Sequence, residues 1–222
     1  MAYSAGFTPH PKISYTGAAP TGVLSEAEYL EIAVTDVRVP ERLRVDLSAA
    51  LPTGLDVLEV VEAGPGVLDD RLEAARWRIR LDGVTPEDAA RAVRVFAARD
   101  AIEVERLTKK GWRRFDARGP VAVCELDRRA PESSDAHCAI LRLVVRRTTP
   151  AVRPDDVLAA LRQVADLAPP SPPLVTRLAQ GPLDAVTGGI ADPLAPDRAA
   201  VRDTTAARGA DGEAAAGRFR GA

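Results

Sequence analysis

The segment Ala75-Arg-Trp-Arg-Ile-Arg-Leu81, followed by Thr85-Pro-Glu-Asp88, decides the fold class. Its first part alternates between apolar and basic residues, which predicts a strand with one buried face and one basic face. Thr85 is a preferred N-cap residue and Pro86 suits the first position of a helix, so a helix is expected to begin there. The basic face of the predicted strand carries Arg76, Arg78 and Arg80.

The same strand and helix patterns recur along the chain. Residues 29–37 and 55–61 are predicted strands around a helix that begins at Pro40, and another helix is expected to begin at Pro154. Further strands are predicted at residues 102–107, 121–126, 138–145 and 174–178. The short β-α-β repeats favour an α+β fold of two ferredoxin-like split β-α-β modules, with antiparallel sheets and helices on one face.

These patterns divide the chain into three parts. Residues 1–66 form a predicted N-terminal ferredoxin-like module, which is incomplete because one strand and one helix are missing before its first loop. Residues 67–182 form a second module with an inserted hairpin. Residues 183–222 are predicted to be a disordered tail, since from about Gly188 they contain too few large apolar residues to offset the entropy of ordering.

Composition excludes several classes of function. A net charge of −2 over 222 residues argues against a strongly basic nucleic-acid protein, although a local basic face remains possible. Two histidines are too few for an imidazole-rich metal site, and Cys124 and Cys138 are predicted to be reduced, buried thiols. The motifs GxxxxGK[ST], GxGxxG, GxSxG and CxxxCxxC are absent, so we expect no cofactor and no metal. No apolar run approaches a membrane span, and we expect a cytoplasmic protein.

The first candidate site is the opening loop, residues 2–22. Pro9 and Pro11 restrict the backbone around His10. The charge of Lys12 and the aromatic side chains nearby suit an anion, or a nucleotide whose base stacks on a ring. In the alternative interpretation the prolines stiffen a connection and His10 caps a backbone carbonyl. The candidate ligand residues of the loop are Phe7, His10, Lys12, Ser14 and Tyr15.

The second candidate site is basic. It combines the basic face of the predicted strand with a turn flanked by Lys109, Lys110, Arg113 and Arg114. A basic sheet surface beside a basic hairpin would bind an RNA backbone. The alternative is a solvated face whose charges are balanced by Glu103, Glu105 and Glu125. The aromatic pairs of an RNA-recognition motif are not visible.

Three stretches resemble a known family: Tyr3-Ser-Ala-Gly-Phe-Thr-Pro-His-Pro-Lys-Ile-Ser14, Gly22–Tyr29, and Thr108-Lys-Lys-Gly111. Over about residues 2–182 the chain resembles the radical-SAM-associated bacterial domain of unknown function, here in its stand-alone form. The resemblance implies an accessory role beside a radical-SAM protein, in RNA modification or handling. Members of that family usually carry a basic strand and a helix before this loop, so we expect Met1 to be an internal residue of the natural protein.

The expected function is therefore that of an accessory protein for a radical-SAM enzyme, which binds RNA or a nucleotide-bearing substrate without catalysing chemistry itself. Two alternatives stay open. One is an RNA-processing or RNA-modifying enzyme with His10 as general acid or base, an analogy that rests on fold alone. The other is a protein-interaction domain.

Overall fold

A computed structural model describes residues 1–5, 7–109, 111–130, 137–200 and 218–221. The fold is α+β, which confirms the predicted class. The helices are α1 (Pro40–Ala50), α2 (Leu68–Arg71), α3 (Pro86–Ala97) and α4 (Pro154–Ala165). The strands are β1 (Ile13–Thr16), β2 (Leu24–Ser25), β3 (Tyr29–Ala33), β4 (Val60–Glu62), β5 (Ala74–Asp82), β6 (Glu103–Thr108), β7 (Gly111–Asp116), β8 (Val121–Leu126), β9 (Cys138–Arg146), β10 (Leu174–Gly181), β11 (Leu183–Asp184), β12 (Gly189–Ile190) and β13 (Arg218–Gly221). Within the described residues, no helix is long and apolar enough to cross a bilayer.

The chain divides into two compact units. Unit 1 comprises residues 1–18 and 27–71 with the described residues of 192–222. Unit 2 comprises residues 19–26 and the described residues of 72–191. Residues 19–26 of the N-terminal part therefore belong to unit 2, and the chain returns to unit 1 after residue 191. No local sequence pattern indicates this arrangement.

The sheet of unit 1 has the strand order β1-β3-β13-β4. Because β13 is antiparallel to both β3 and β4, those two strands, joined through α1, run parallel with β13 between them. Ile32, Val60 and Phe219 are buried on the face that α1 covers, where Leu43 and Leu47 of the helix pack against them. The strand between β3 and β4 thus comes from a distant part of the chain.

The opposite face of this sheet holds a buried ionic cluster around Arg220, which is fully buried. Its Nη1 donates to both carboxylate oxygens of Asp197, at 2.7 and 3.0 Å, and its Nε donates to Glu31 Oε2 at 2.9 Å. Its Nη2 donates to the carbonyl of Gly66 at 2.8 Å. Asp197, also fully buried, accepts a further hydrogen bond from Arg71 Nη1 at 2.8 Å. Buried charges are tolerated only when paired in this way, so the cluster fixes the position of β13.

The disordered tail predicted from residue 183 is wrong for the described residues 183–200 and 218–221. These include three strands, and Leu194 is only 1% exposed. Residues 201–217 and 222 of the predicted tail lie outside the described residues. The low content of large apolar residues did not predict the structure of this segment, because ion pairs and main-chain pairing stabilise it.

The second predicted strand, residues 55–61, is also shorter than expected, since β4 begins at Val60. The backbone of Val57 makes its hydrogen bonds with polar side chains of α1, and not with a neighbouring strand. Ser48 Oγ accepts from the N–H of Val57 at 3.3 Å, and Arg44 Nη1 donates to its carbonyl at 3.4 Å. The segment before β4 is therefore tied to the helix.

The sheet of unit 2 has the order β2-β10-β5-β9-β8. Neighbours from β10 to β8 are antiparallel, and β2 runs parallel to β10 at the edge. Both α3 and α4 pack on one face of this sheet, around a core to which β5 contributes Trp77, Ile79 and Leu81. The apolar side of the Ala75–Leu81 alternation is thus the buried side, as the sequence predicts.

A hairpin of β6 and β7 is inserted between α3 and β8. Val104 and Phe115 enter the core of unit 2, and the guanidinium of Arg106 lies 4.8 Å from the centroid of the Phe115 ring. Arg106 Nη1 donates to Asp156 Oδ2 in α4 at 2.6 Å, and Nη2 donates to the carbonyl of Ala151 at 3.1 Å. These contacts fix the hairpin to the helix side of the sheet.

Asp116 closes the base of the hairpin. It accepts backbone N–H groups of Ile102 at 2.9 Å, Arg118 at 2.8 Å and Gly119 at 2.9 Å. Burial raises the pKa of this carboxyl, but the three backbone donors outweigh burial and hold the pKa below its ordinary value. One ionised carboxylate therefore joins the start of β6 to the end of β7.

Candidate functional site

The opening loop, up to residue 18, belongs to unit 1, and residues near its start pair with each other. Tyr3 and Pro11 form an isolated antiparallel bridge at its base. Above the bridge, the N–H of Ser4 donates to the carbonyl of His10 at 2.8 Å, and the N–H of His10 donates to Ser4 Oγ at 3.0 Å. The prolines on either side of His10 therefore hold a backbone that is also cross-linked by hydrogen bonds.

The loop presents its candidate side chains to solvent rather than gathering them in a pocket. Exposed side chains at and near its tip are those of Phe7, His10 and Lys12. Ser14 and Tyr15 are consecutive in β1 and so point to opposite faces of the strand. The hydroxyl of Tyr15 donates to Glu28 Oε2 at 2.9 Å. The His10 ring makes no hydrogen bond with a described residue, so no acid is positioned there to assist proton transfer.

The basic side of β5 faces away from the core of unit 2. Three half-buried side chains share this face, those of Arg76, Arg78 and Arg80. It is not an open platform: Ile140 and Val144 of β9 point to the same side and are 1% and 0% exposed, and β12 lies against β5 and β10. Since the hairpin is anchored on the helix side, the basic sheet face and the basic hairpin do not form one surface.

Acidic partners neutralise part of this basic face. Arg80 Nε donates to Asp82 Oδ1 at 2.8 Å, and Arg142 Nη1 donates to Glu125 Oε1 at 2.7 Å. These pairs agree with the alternative interpretation of a charge-balanced face for part of the arginines. The side chains of Arg76 and Arg78, by contrast, make no hydrogen bond or ion pair with a described residue.

The β6–β7 hairpin exposes a tryptophan. Trp112 is 72% exposed and lies opposite Leu107, which is 64% exposed, on the face of the hairpin away from the core. Lys109 is exposed at the turn and Arg113 is exposed on the other face, whereas Arg114 is held by Glu105 at 2.7 Å. Lys110, a further predicted ligand residue, lies outside the described residues. The hairpin thus combines a free aromatic ring with two cations that have no acidic partner among the described residues.

Sequence reasoning did not select Trp112. Its signal was present in the alternation of residues 111–116, in which Phe115 occupies the buried side and Trp112 falls on the side of the charged Arg114. A tryptophan placed on a charged face beside a lysine-rich turn indicates a functional role more strongly than a tryptophan in the apolar stripe.

The described thiols and carboxylates provide no obvious reactive centre. Burial raises the pKa of the Cys124 thiol to about 12, and Cys138 is 1% exposed; neither cysteine forms a disulfide bond. Among the described residues, no group of three or more His, Cys, Asp or Glu is arranged to hold a metal ion. The features that remain for binding are therefore cationic and aromatic.

These features define an α+β protein with cationic and aromatic side chains on a loop and a hairpin. The chain belongs to a bacterial family: the family described as "uncharacterized protein conserved in bacteria" (DUF2344) matches residues 1–154. That range includes the opening loop, the β6–β7 hairpin and β5 with its arginines. No curated protein and no solved structure matches the chain.

Proposed function

We propose that this chain is an accessory protein that binds RNA, or another nucleotide-bearing ligand, through the β6–β7 hairpin, without catalysing chemistry itself. The observation that carries the proposal is the exposed Trp112 ring on a hairpin with the cations Lys109 and Arg113. Stacking a base on an aromatic side chain is worth about 1–3 kcal/mol and tolerates any sequence, because every base has a π-face.

The rigidity of the hairpin supports this assignment. The hydrogen bonds that Arg106 donates to Asp156 and Ala151, together with the three N–H groups on Asp116, hold both strands in place. Because the backbone is fixed, only the side-chain torsions of Trp112 lose freedom when a base stacks on its ring. Lys109 at the turn and Arg113 on the other face of the hairpin contribute a salt-sensitive attraction to phosphates.

Tryptophan fluorescence tests the proposal directly, because the chain contains two tryptophans and Trp77 is only 7% exposed. A short unstructured oligoribonucleotide should quench the emission of Trp112, and the quenching should weaken as salt rises. The substitution Trp112→Phe should abolish the quenching while retaining most of the affinity measured by anisotropy of labelled RNA.

The variant Trp112→Ala should weaken RNA binding by about fivefold or more. The matched control is Arg91→Ala, which removes an exposed cation of α3 with 57% side-chain exposure and should leave the affinity within about twofold. Equal affinities for the wild-type chain and Trp112→Ala, or no binding at low salt, would refute the hairpin assignment.

The opening loop provides a second contact in this proposal, supported by the exposure of His10, Lys12 and Phe7. We expect His10→Ala and Lys12→Ala each to weaken RNA binding and reduce its salt dependence. If both variants bind as the wild-type chain does, the loop does not contact RNA, whatever the hairpin does.

The partner in this proposal is a radical-SAM protein, an assignment supported by the resemblance carried by the opening loop and by Thr108–Gly111. Affinity capture with the full chain from its bacterial host should then recover a radical-SAM protein. Capture of other proteins alone, unaffected by ribonuclease, would favour a protein-interaction domain instead.

The fold proposed for both units is ferredoxin-like. In unit 2 the support is the strand order β10-β5-β9-β8, whose neighbours are antiparallel. The chain passes from β5 through α3 to β8 with β9 between these two strands, and from β9 through α4 to β10 with β5 between them. In unit 1 the support is the placement of β13 between β3 and β4. An experimental structure with a different strand order would overturn this assignment.

A further inference from the structure

Three arginine side chains from adjacent positions of β5 and β9 share the basic face of the unit 2 sheet. Arg76 and Arg78 are two residues apart in β5, and Arg142 in β9 lies directly opposite Arg78 in the strand register. Side chains directly opposite each other on one face have Cβ atoms about 5 Å apart, and like charges in that position destabilise a sheet. Two arginines in such a pair need a compensating anion.

The described residues provide only one acidic partner for this group. Glu125, opposite Arg142 in β8, accepts from Arg142 Nη1 at 2.7 Å, and the carbonyl of Gly188 accepts from Nη2 at 3.1 Å. Glu125 therefore compensates Arg142 and leaves the charges of Arg76 and Arg78 without an acid. The residues paired with them on the other side are Ala179 and Thr176 of β10, which carry no charge.

The side chain of Arg76 contains a buried donor that no described residue accepts from. This donor is its Nε, which is buried and has no hydrogen-bond partner among the described residues. A buried donor without an acceptor costs about 1–3 kcal/mol, and more when the group is charged. Natural proteins rarely leave such a group without a role, and an unfilled ion site is one explanation for it.

We propose that Arg76, Arg78 and Arg142 form a binding site for a phosphate group. Guanidinium groups present planar pairs of donors that match phosphate oxygens, and half-buried surroundings strengthen such charged hydrogen bonds. A phosphate dianion also matches the two uncompensated charges, whereas a carboxylate supplies only one. This site does not depend on the hairpin, because its side chains lie on the sheet face away from the core and from α4.

Inorganic phosphate is the first probe, added to the full chain at constant ionic strength with chloride as the comparison salt. Phosphate should raise the midpoint of thermal unfolding, and calorimetry should give a one-to-one stoichiometry. A nucleoside 5′-monophosphate and the oligoribonucleotide form two further arms. If all three compete for one site, the group is recognised as a phosphate ester; if only inorganic phosphate binds, the ligand is the free anion.

Two variants make the assignment specific. Arg78→Ala should weaken phosphate binding by about tenfold or more. Arg76→Met removes the buried unpaired donor but keeps the side-chain length, so it should raise the unfolding midpoint without phosphate while it reduces the phosphate-induced shift. A variant that only damaged the fold would lower both values.

Arg80→Ala is the matched control, because Arg80 shares the strand and the face but is already paired with Asp82. It should change phosphate affinity by less than about threefold. No stabilisation by phosphate over chloride, or wild-type affinity in both Arg76→Met and Arg78→Ala, overturns the proposal. Trp112→Ala separates the two proposals: it should keep the phosphate response even though it loses RNA affinity.

Discussion

Replacing Arg220 by alanine should release β13 from the sheet of unit 1. Arg220 donates four hydrogen bonds, two to the fully buried carboxylate of Asp197, one to Glu31 and one to the carbonyl of Gly66. Removing one partner of a buried ion pair costs about 3–5 kcal/mol, because the remaining charge is left in a poorly solvated place. Burial opposes the charge of Arg220, but hydrogen bonds to Asp197 and Glu31 outweigh it and raise the pKa of the guanidinium, which is therefore charged at any working pH.

The cost should fall at the lower end of that range, at about 3 kcal/mol. Asp197 keeps two donors in the variant, Arg71 Nη1 at 2.8 Å and the N–H of Gly64 at 2.9 Å. The side chain of Glu31 is 20% exposed and can be solvated. A loss of 3 kcal/mol corresponds to an increase of roughly a hundredfold in the equilibrium constant for opening of β13.

Native-state amide hydrogen exchange is the suitable assay, because a chain of two units need not unfold in one step. Amides of β3 and β4 that pair with β13 should exchange about a hundredfold faster in Arg220→Ala, while amides of β5 and β9 keep their rates. Arg91→Ala is the control and should leave all rates nearly unchanged. Unchanged exchange in β3 and β4 of Arg220→Ala would show that the ionic cluster does not hold this strand.

Three further results are expected. Asp116→Asn should destabilise the chain at neutral pH by about 1–3 kcal/mol, measured by urea unfolding at several pH values. Because the pKa of Asp116 is lowered in the folded chain, the difference in stability from wild type is fully present above about pH 4. It disappears as the pH falls through the folded pKa. Cys124 should resist alkylation at pH 8 in the native chain and react in urea, since a thiol with a pKa of about 12 is almost entirely protonated; rapid labelling of the native protein would contradict this. Gly83→Ala should lower the thermal midpoint more than Gly54→Ala, because both residues have positive φ, at 78° and 93°, but only at Gly83 would a Cβ collide with Pro170; equal losses would refute the steric argument.

The elements of unit 2 were largely predictable from local sequence. The N-cap Thr85 accepts the N–H of Asp88 at 3.1 Å, and α3 begins at Pro86 as its sequence indicates. The alternation from Ala75 to Leu81 gives both the strand and its buried face, because neighbouring side chains of a strand must point to opposite sides. Helix capping and strand alternation depend on residues a few positions apart, so both can be predicted from the sequence.

The candidate site was only partly predictable. The lysine and arginine positions around the turn after β6 are visible in the sequence, but the neutralisation of Arg114 by Glu105 depends on the register of β6 and β7. The face of the hairpin that stays exposed, with Trp112, depends on how the hairpin packs against α4. Likewise, Arg76 and Arg80 look equivalent in the alternation. Arg76 has a buried donor without a partner among the described residues, whereas Arg80 forms an ion pair with Asp82. The difference arises from the tertiary neighbours of each residue, which the alternation does not show.

Sequence alone thus determined the α+β class, the strand and helix order from residue 74 to residue 165, and the basic side of β5. The tertiary structure decided that a segment poor in large apolar residues supplies Asp197 and β13 to unit 1. The physical reason is the range of the interactions. Capping and alternation act within a few residues, whereas Arg220 reaches Glu31 and Gly66 across more than 150 positions of sequence. Such a pairing stabilises only after the fold has brought its partners together.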